Sequence, residues 1–283
     1  MKNKICLITG ATSGIGKETA KALSKIGFTV VITSRNAEKG EKVKKEIIDF
    51  SGNKNVDVII CDLASFSSIR ECANTFKNKY SKLDILINNA GIWETERKLS
   101  RDGIELNFAT NHLAPFLLTN LLLETIKSSA PARIINLASS AHKMGSINFD
   151  DLEAKKSFSS FRSYGQSKLA NILFTIKLSE MLQDCNVTAN CLHPGVVSTR
   201  LFDKMSSFQR SLFAVFMISP EKGAQTTIYL ASSPDVSCIS GEYFAKSKIT
   251  SSSKESKDMD VANKLWNVSL EYVKPYLNEN NNS

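Results

Sequence analysis

A glycine-rich turn close to the start of the chain is the feature that most restricts how this sequence can fold. The apolar run Ile5–Ile8 comes first, the turn Thr9–Gly16 follows, and Lys17–Leu23 is rich in good helix formers. A strand, a glycine turn and a helix in this order can hold a dinucleotide, because backbone N–H groups at a helix N-terminus attract pyrophosphate and glycine lets the phosphates approach closely. The spacing Gly-x-x-x-Gly-x-Gly differs from the Gly-x-Gly-x-x-Gly fingerprint, and glycine turns also serve as plain strand-to-helix connections. The turn alone therefore leaves both interpretations open.

Further strand-like runs along the chain predict the fold class. They are separated by stretches long enough for helices, and this alternation predicts an α/β fold of the Rossmann type, a doubly wound parallel sheet with helices on both faces. The ligand of such a sheet lies at the carboxyl ends of the strands, at the switch point of the strand order. The predicted strands are Val30–Thr33, Val56–Cys61, Ile85–Asn88, Arg133–Ala138, Val187–Leu192 and a run near Tyr243–Phe244.

Length and composition predict a single domain. With 283 residues, 42% of them hydrophobic, the chain can bury one large core. The Ser-rich stretch Ser247–Ser256 is interpreted as a surface loop that precedes a helix over Asp258–Tyr272. We therefore expect one domain over residues 1–277 and a disordered polar tail over residues 278–283, because the tail has no apolar residue to anchor it.

Charge, cysteine usage and hydropathy argue against several function classes. The net charge is +8, but lysines and glutamates are interleaved between Glu38 and Glu46 as on a solvated helix face, so no nucleic-acid partner is expected. Six cysteines without a Cys-x-x-Cys pair predict reduced, buried thiols in a cytoplasmic protein. No apolar stretch reaches the roughly 20 residues of a membrane span, and no apolar leader follows Met1. The histidines lack metal-ligand spacing, so no metal site is expected.

Two further motifs support the dinucleotide interpretation of the glycine turn. Asn-Asn-Ala-Gly at 88–91 follows the apolar run Ile85–Ile87, and Tyr164 and Lys168 are four apart within a helical pattern, which places them on one helix face. With these motifs the chain resembles the short-chain dehydrogenase/reductase family from about Lys4 to Tyr272. The resemblance implies a nicotinamide dinucleotide cofactor and an oxidoreductase.

The resemblance also implies a catalytic set. Tyr164 would be the proton donor and acceptor, while Lys168 would tune its pKa and bind the ribose. Ser139 would hydrogen-bond the substrate oxygen, and Asn111 would hold a water for proton relay. A phenol has a pKa of about 10 in water, and we expect the neighbouring ammonium to move it toward the working range. An alanine precedes Ser139 where family members commonly have serine, so Ser140 remains an alternative to Ser139.

The end of the second predicted strand indicates which cofactor is preferred. An NAD enzyme usually places a carboxylate there on the ribose hydroxyl, whereas this chain has Ser-Arg-Asn at 34–36. Because Arg35 can pair with a 2′-phosphate through a bidentate contact, NADP(H) is favoured over NAD(H), with a plain surface arginine as the alternative. Together with the positions that the resemblance adds, the predicted cofactor-binding residues are Gly10, Ser13, Gly14, Ile15, Gly16, Arg35, Asp62, Leu63, Asn88, Ala90, Gly91, Tyr164, Lys168, Pro194, Val197 and Thr199.

Several segments resemble one branch of this family, that of the retinol dehydrogenases and related carbonyl reductases. They include Ser-Ser-Ala-His at 139–142 and His-Pro-Gly-Val-Val at 193–197. The segment Leu201–Ile218 carries apolar residues at helical spacing. In this family the corresponding region covers the substrate cleft, so we expect an apolar lid that admits a lipophilic carbonyl compound. Packing on the domain, or a subunit contact, is the alternative for this segment.

These observations predict an NADP-dependent oxidoreductase that transfers a hydride between nicotinamide and a lipophilic aldehyde or ketone, or the matching alcohol. One rival is a sugar-nucleotide epimerase or dehydratase of the extended branch, which would be expected to carry Gly-x-x-Gly-x-x-Gly. The other is a non-catalytic NADP-sensing scaffold, which would be expected to lose the tyrosine or the lysine. The family resemblance also implies a homodimer or homotetramer through the helices that bear Asn111 and Tyr164.

Overall fold

A mostly parallel sheet forms the centre of the protein. The computed structural model describes residues 4–197 and 217–277, and within these ranges one sheet runs in the order β3-β2-β1-β4-β5-β6-β7-β8. All neighbours are parallel except β8, which is antiparallel to β7. The predicted fold class is confirmed. The strands are β1 (Ile5–Ile8), β2 (Thr29–Ser34), β3 (Val56–Ile60), β4 (Ile85–Asn88), β5 (Ala132–Leu137), β6 (Val187–His193), β7 (Tyr243–Ala245) and β8 (Lys248–Ile249).

Helices cover both faces of this sheet. None of those in the described ranges combines the length and the apolar character that a bilayer crossing requires. The last helix starts one residue after the predicted boundary and runs five residues further than predicted. The helices are α1 (Gly14–Lys25), α2 (Ala37–Ser51), α3 (Phe66–Lys79), α4 (Leu106–Phe108), α5 (Ala114–Lys127), α6 (Ser160–Met181), α7 (Pro220–Ser232) and α8 (Met259–Leu277).

Alternating side chains along the strands divide the interior into two cores. In β1 the Leu7 side chain belongs to one core, whereas Cys6 and Ile8 belong to the other, as the two-residue period of a strand requires. The first core lies under α3, α5, α6 and α8, and the second lies under α1, α2 and α7. Because both faces are covered, the central strands are almost continuously apolar, which is why the sequence revealed them.

The short strand β8 was not predicted. Its two residues pair with Phe244 and Ala245 of β7 and lie within the stretch interpreted as a surface loop. The connecting residues Lys246 and Ser247 have φ values of 52° and 59°, as in a two-residue hairpin turn. Glycine or asparagine usually fills such turns, and Lys-Ser gives no such signal.

The six cysteines are free thiols, and four of them are buried. Cys185 is half-buried and Cys238 is exposed, so the prediction of a buried thiol is wrong for Cys238. This residue follows the short turn Pro234–Val236 at the surface rather than a strand, which explains the difference.

Two structural features prepare the site. The strand β1 lies between β2 and β4, so the chain changes direction across the sheet there and a crevice opens at the carboxyl ends of β1 and β4. In addition, α4 and α5 are joined by a π-helical turn over Ala109–Leu113. Such turns are frequent at functional sites, and this one contains Asn111.

A close backbone contact fixes the turn after β5 against α6. The turn over Ser140–Met144 ends at Gly145, where a Cβ atom would lie 2.6 Å from the backbone nitrogen of Gln166. Conversely, a Cβ atom at Gly165 would lie 2.9 Å from the carbonyl oxygen of Ala141. Backbone atoms cannot move aside as the end of a flexible side chain can, so Gly145 and Gly165 cannot be replaced by a larger residue without a shift of the backbone.

We expect Gly145→Ala to destabilise the protein by about 1–3 kcal/mol, the usual range for overpacking. Thermal melting and urea unfolding measure this change. Lys143→Ala is the matched control, because Lys143 lies in the same turn with an exposed side chain. Equal stability of the Gly145 variant and this control would show that the two backbones separate without cost.

Candidate active site

A cleft of about 430 Å³ opens at the carboxyl edge of the sheet. Most of the residues predicted to bind a cofactor meet there, although they come from distant parts of the sequence. The parallel order of β2, β1, β4 and β5 brings their carboxyl ends together. The predicted residues that line the cleft are Gly10, Ser13, Gly14, Ile15, Gly16, Arg35, Asp62, Leu63, Ala90, Gly91, Tyr164, Lys168 and Pro194.

The glycine turn fits a bound pyrophosphate. Gly10 and Gly14 have φ values of 66° and 57°, which glycine adopts without strain. A Cβ atom at Gly10 would lie 2.8 Å from the Cα atom of Ala90, so glycine also permits the contact between this turn and the one after β4. Ser13 precedes α1 but its side chain makes no capping hydrogen bond, so the first N–H groups of α1 are left for an anion in the cleft.

The two asparagines after β4 differ in position. Asn88 is buried, and its amide nitrogen donates to Thr119 Oγ1 at 3.1 Å and to Asn136 Oδ1 at 2.8 Å. Asn89 lines the cleft, and its amide nitrogen donates to the Thr9 carbonyl at 2.8 Å. Asn88, predicted to contact the cofactor, therefore lies beneath the cleft, whereas Asn89 lies beside it.

Charged side chains surround the outer end of the cleft. Arg35 follows β2 and is exposed, and Lys39 of α2 also lines this end. Asp62 follows β3, accepts a hydrogen bond from the backbone nitrogen of Ala64 at 3.1 Å and pairs with Arg101 Nε at 3.2 Å. The predicted residues Arg35 and Asp62 thus occupy the same end of the cleft.

The candidate catalytic side chains meet at the inner end. Tyr164 is only 5% exposed, and its phenol oxygen is hydrogen-bonded to the Ser139 hydroxyl. Lys168 Nζ donates to the Leu137 carbonyl oxygen at 3.1 Å and lies 5.7 Å from the centre of the Tyr164 ring. Ser140 is exposed, so Ser139 rather than Ser140 contacts the phenol.

Asn111 lies behind this group and does not line the cleft. Its Oδ1 accepts from the backbone nitrogen of Ile92 at 2.8 Å, and its Nδ2 donates to the Ile92 carbonyl and to Ser167 Oγ, both at 2.9 Å. A Cβ atom at Gly91 would lie 3.1 Å from Lys168 Nζ and 3.5 Å from Asn111 Oδ1. Asn111 therefore joins the chain after β4 to α6, directly behind Lys168.

Comparison with known proteins agrees with this geometry. The family model described as short chain dehydrogenase matches residues 4–210. Retinol dehydrogenase 12 of Mus musculus is 44% identical over 272 residues, covering 95% of this chain and 86% of the relative. Retinol dehydrogenase 11 of Homo sapiens is 41% identical over 276 residues, covering 96% of this chain and 86% of the relative.

A solved structure of an uncharacterized protein from Mycobacterium paratuberculosis shares the fold. Its TM-score is 0.79 at 32% identity, and the match covers 96% of this chain and 94% of that one. The NADP complex of RhlG from Pseudomonas aeruginosa gives a TM-score of 0.71 at 25% identity, covering 86% of this chain and 94% of that one.

The chain belongs to the short-chain dehydrogenase/reductase family. It lies in the branch that resembles the retinol dehydrogenases, and it is an NAD(P)-dependent oxidoreductase that acts on alcohol or carbonyl groups. The glycine turn, with its free α1 N-terminus, fits the dinucleotide that such an enzyme binds.

Two family positions after β6 differ in their placement. Pro194 lines the cleft, whereas Val197 is buried, bridges to Ile218 and packs beside Gly223, where a Cβ atom would lie 2.6 Å from Val197 Cγ2. The predicted residue Thr199 and nearly all of the predicted lid Leu201–Ile218 lie outside the described residues. So does the predicted tail at 278–283.

Sequence reasoning missed about half of the cleft wall. The largest lining residue that was not predicted is Trp93, whose indole stacks on the Tyr164 ring with 4.8 Å between ring centres. Its place just after the Asn-Asn-Ala-Gly motif was the only signal that could have found it. The other lining residues that were not predicted are Thr12, Thr33, Ser34, Lys39, Cys61, Ala64, Asn89, Ile92, Glu94, Leu106, Thr110, Leu137 and Ala138.

The histidines near the site have structural partners. His142 Nδ1 bonds to the Ser139 carbonyl at 2.6 Å, and its Nε2 accepts from the Ser253 backbone at 3.0 Å. His193 Nδ1 accepts from the Ser140 backbone at 3.2 Å, and burial lowers the pKa of His193 to about 4. Both rings accept a hydrogen bond at one nitrogen, so they act as neutral imidazoles that hold the backbone near Ser139.

Burial is the main cause of the pKa shifts of Tyr164 and Lys168. It raises the pKa of Tyr164 to about 12, and the hydrogen bond from Ser139 lowers that pKa only in part. Burial lowers the pKa of Lys168 to about 8. The expected shift of the phenol pKa toward the working range is therefore wrong, because burial raises this pKa and Ser139 is the only group in the described part of the chain that lowers it. Lys168 Nζ lies 5.7 Å from the centre of the Tyr164 ring.

The position of Lys168 predicts how cofactor affinity depends on pH. With a pKa of about 8, Lys168 is an ammonium below that pH and an amine above it, and only the ammonium attracts an anionic dinucleotide. The dissociation constant of NADPH should therefore rise by about threefold or more between about pH 7 and about pH 9.5. Fluorescence titration measures it. Lys168→Met should remove most of this dependence, and an equally steep rise in that variant would assign the effect to another group.

Proposed function

We propose that this enzyme is an NADP-dependent oxidoreductase that transfers a hydride between nicotinamide and a lipophilic aldehyde or ketone, or the matching alcohol. The observation that carries the proposal is the hydrogen bond between Ser139 and the buried Tyr164 phenol, at the inner end of a cleft whose other end carries the glycine turn. Bound nicotinamide supplies or accepts the hydride. A side chain of the protein donates or accepts the proton.

Tyr164 is set to donate a proton during carbonyl reduction. With a pKa of about 12 the phenol is protonated at neutral pH, so its O–H can bond to a carbonyl oxygen and pass the proton as negative charge develops there. Ser139 then donates to the same oxygen, in place of its present bond to the phenol. The Lys168 ammonium stabilises the phenolate that remains and can also hold the ribose.

Asn111 supports this reaction from behind. Its three hydrogen bonds fix Ile92 and Ser167, and Ser167 Oγ donates to the Tyr164 carbonyl at 2.7 Å. We propose that the family role of this asparagine, a proton relay behind the lysine, operates here beside its structural one. The structural role uses the side chain of Asn111. The relay role can use its backbone, because Asn111 lies in a π-helical turn, where the regular backbone hydrogen bonding is altered.

We expect Tyr164→Phe to reduce turnover by a factor on the order of 10² or more, the scale of a lost general acid. Absorbance of NADPH with a panel of aldehydes and ketones measures it. Tyr229→Phe on α7 is the matched control, because Tyr229 packs in the second core away from the cleft. A Tyr164 variant that turns over like its parent would contradict the mechanism, and a parent inactive on every compound would favour the scaffold alternative.

The preference for NADP rests on the outer end of the cleft. No carboxylate ends β2, where Ser34, Arg35 and Asn36 stand instead. Arg35 and Lys39 both line this end, and a 2′-phosphate there would meet two cations. Arginine suits such a group because its guanidinium binds phosphate oxygens in pairs.

Arg35→Asp should remove this partner and add a repulsive carboxylate. The ratio of NADPH to NADH affinity, measured by titration, should fall by about tenfold or more. Lys42→Asp changes the net charge equally, at an exposed position of α2 outside the cleft, and should leave the ratio nearly unchanged. The same fall in both variants would point to the general field of the protein rather than to a phosphate contact.

Apolar walls support a lipophilic substrate. Trp93, Ala141 and Tyr164 form a cluster with Val196 and Met217 beside the catalytic phenol, and such a surface gains free energy when it covers an apolar compound. The names of the relatives add retinol as one candidate to test.

We also propose that the protein is cytoplasmic and that it forms a homodimer or homotetramer. The six free thiols support the cytoplasmic location. The family resemblance supports the oligomer.

A further inference from the structure

One aromatic side chain covers the catalytic tyrosine. The indole of Trp93 lies parallel to the Tyr164 ring, with 4.8 Å between ring centres and 7° between ring planes. Phe161 meets the indole edge-on, with ring centres 5.0 Å apart at 80°. At this separation the two stacked rings are in contact, so no substrate group fits between Trp93 and Tyr164.

The indole is held in place by hydrogen bonds. Trp93 Nε1 donates to Ser160 Oγ at 2.6 Å, and Ser160 Oγ donates to the Glu94 carbonyl at 2.7 Å. Ser160, Phe161 and Tyr164 all belong to the first turns of α6. Turning the indole away would leave its N–H without this partner and would break two aromatic contacts, so Trp93 acts as a fixed wall.

A fixed wall at this place restricts the shape of the substrate. A carbonyl carbon is planar and carries two substituents, and its oxygen must reach Tyr164 and Ser139. One substituent can then extend along the cleft, while the other points toward one of the walls beside the phenol. A substituent that points toward the Trp93 indole meets a ring that cannot easily move aside, because its hydrogen bond and ring contacts hold it.

We propose that Trp93 is a specificity-determining residue, which selects carbonyl compounds whose second substituent is no larger than hydrogen or methyl, and the corresponding alcohols. This inference rests on the proposed function, because it assumes that Tyr164 and Ser139 receive the carbonyl oxygen. Trp93 lies outside the catalytic set, and its side chain sets the size limit on the second substituent.

The test uses three phenyl compounds that differ only in the second substituent: benzaldehyde, acetophenone and propiophenone. With NADPH as reductant, kcat/KM is measured for each in the parent and in Trp93→Ala. The variant should raise the ratio of propiophenone to benzaldehyde by about tenfold or more, since their second substituents differ by two methylene units and one such unit in a confined pocket already changes discrimination by about tenfold. Trp93→Phe, with a smaller ring, should give an intermediate ratio.

Ser160→Ala is the matched control. It removes the hydrogen bond to the indole but leaves the stacked ring present, so its ratio should stay closer to the parent's than that of Trp93→Ala. Melting temperature and NADPH affinity show whether each variant is folded. If Trp93→Ala does not fold, Trp93→Phe alone decides, and an unchanged ratio in it overturns the proposal.

Two further outcomes separate this inference from the proposed function. An equal change of kcat/KM on all three compounds would show that Trp93 only orients Tyr164, and the specificity role would be wrong. If the parent reduces none of them, the proposed function fails for this compound class. The dissociation constants of benzaldehyde and propiophenone in the presence of NADPH, from ligand-observed NMR, then decide on Trp93: a relative gain for propiophenone in Trp93→Ala supports the wall, and an unchanged ratio refutes it.

Discussion

The Leu137 carbonyl oxygen, at the end of β5, is the point on which the arrangement of the site depends. It accepts hydrogen bonds from Lys168 Nζ and from Asn171 Nδ2, both at 3.1 Å. These bonds connect the end of a central strand to α6, in a region where water does not compete. Because Ser139 follows Leu137 by two residues and Tyr164 precedes Lys168 by one helical turn, fixing β5 to α6 also fixes the serine hydroxyl against the phenol.

The same burial gives the catalytic pair its protonation states. Tyr164 and Lys168 are almost completely removed from water, which penalises the charged form of each. The phenol is therefore held neutral and the lysine becomes easier to deprotonate. A neutral phenol donates a proton, and an anionic dinucleotide nearby would raise the pKa of Lys168 and keep this side chain charged to higher pH.

The sequence predicted the frame of this site better than its walls. The strands β1 and β4 were predicted to the residue, because a strand buried on both faces is a continuous apolar run with sharp ends. The distinction between Asn88 and Asn89 was not predicted. Asn88 is the last residue of β4 and is buried, whereas Asn89 lies just beyond the strand, where the alternation no longer fixes the direction of a side chain. Trp93 was missed for a similar reason. Its contact with Tyr164 crosses 71 positions of sequence, and no local pattern records a contact of that kind.

The loop after β4 shows why a rigid wall can exist outside regular structure. Its backbone is held by side chains near the helix break: Asn111 bonds both polar backbone groups of Ile92, and Asn107 Oδ1 accepts from the Glu94 nitrogen at 2.9 Å. Asn107 is oriented in turn by the buried Glu105 carboxylate, at 2.8 Å. Trp93 lies between these two anchored residues and is itself bonded to α6. Buried polar groups that are satisfied in this way hold one conformation, so the wall of the cleft that carries Trp93 is preorganised by Glu105, Asn107 and Asn111, which do not line the cleft.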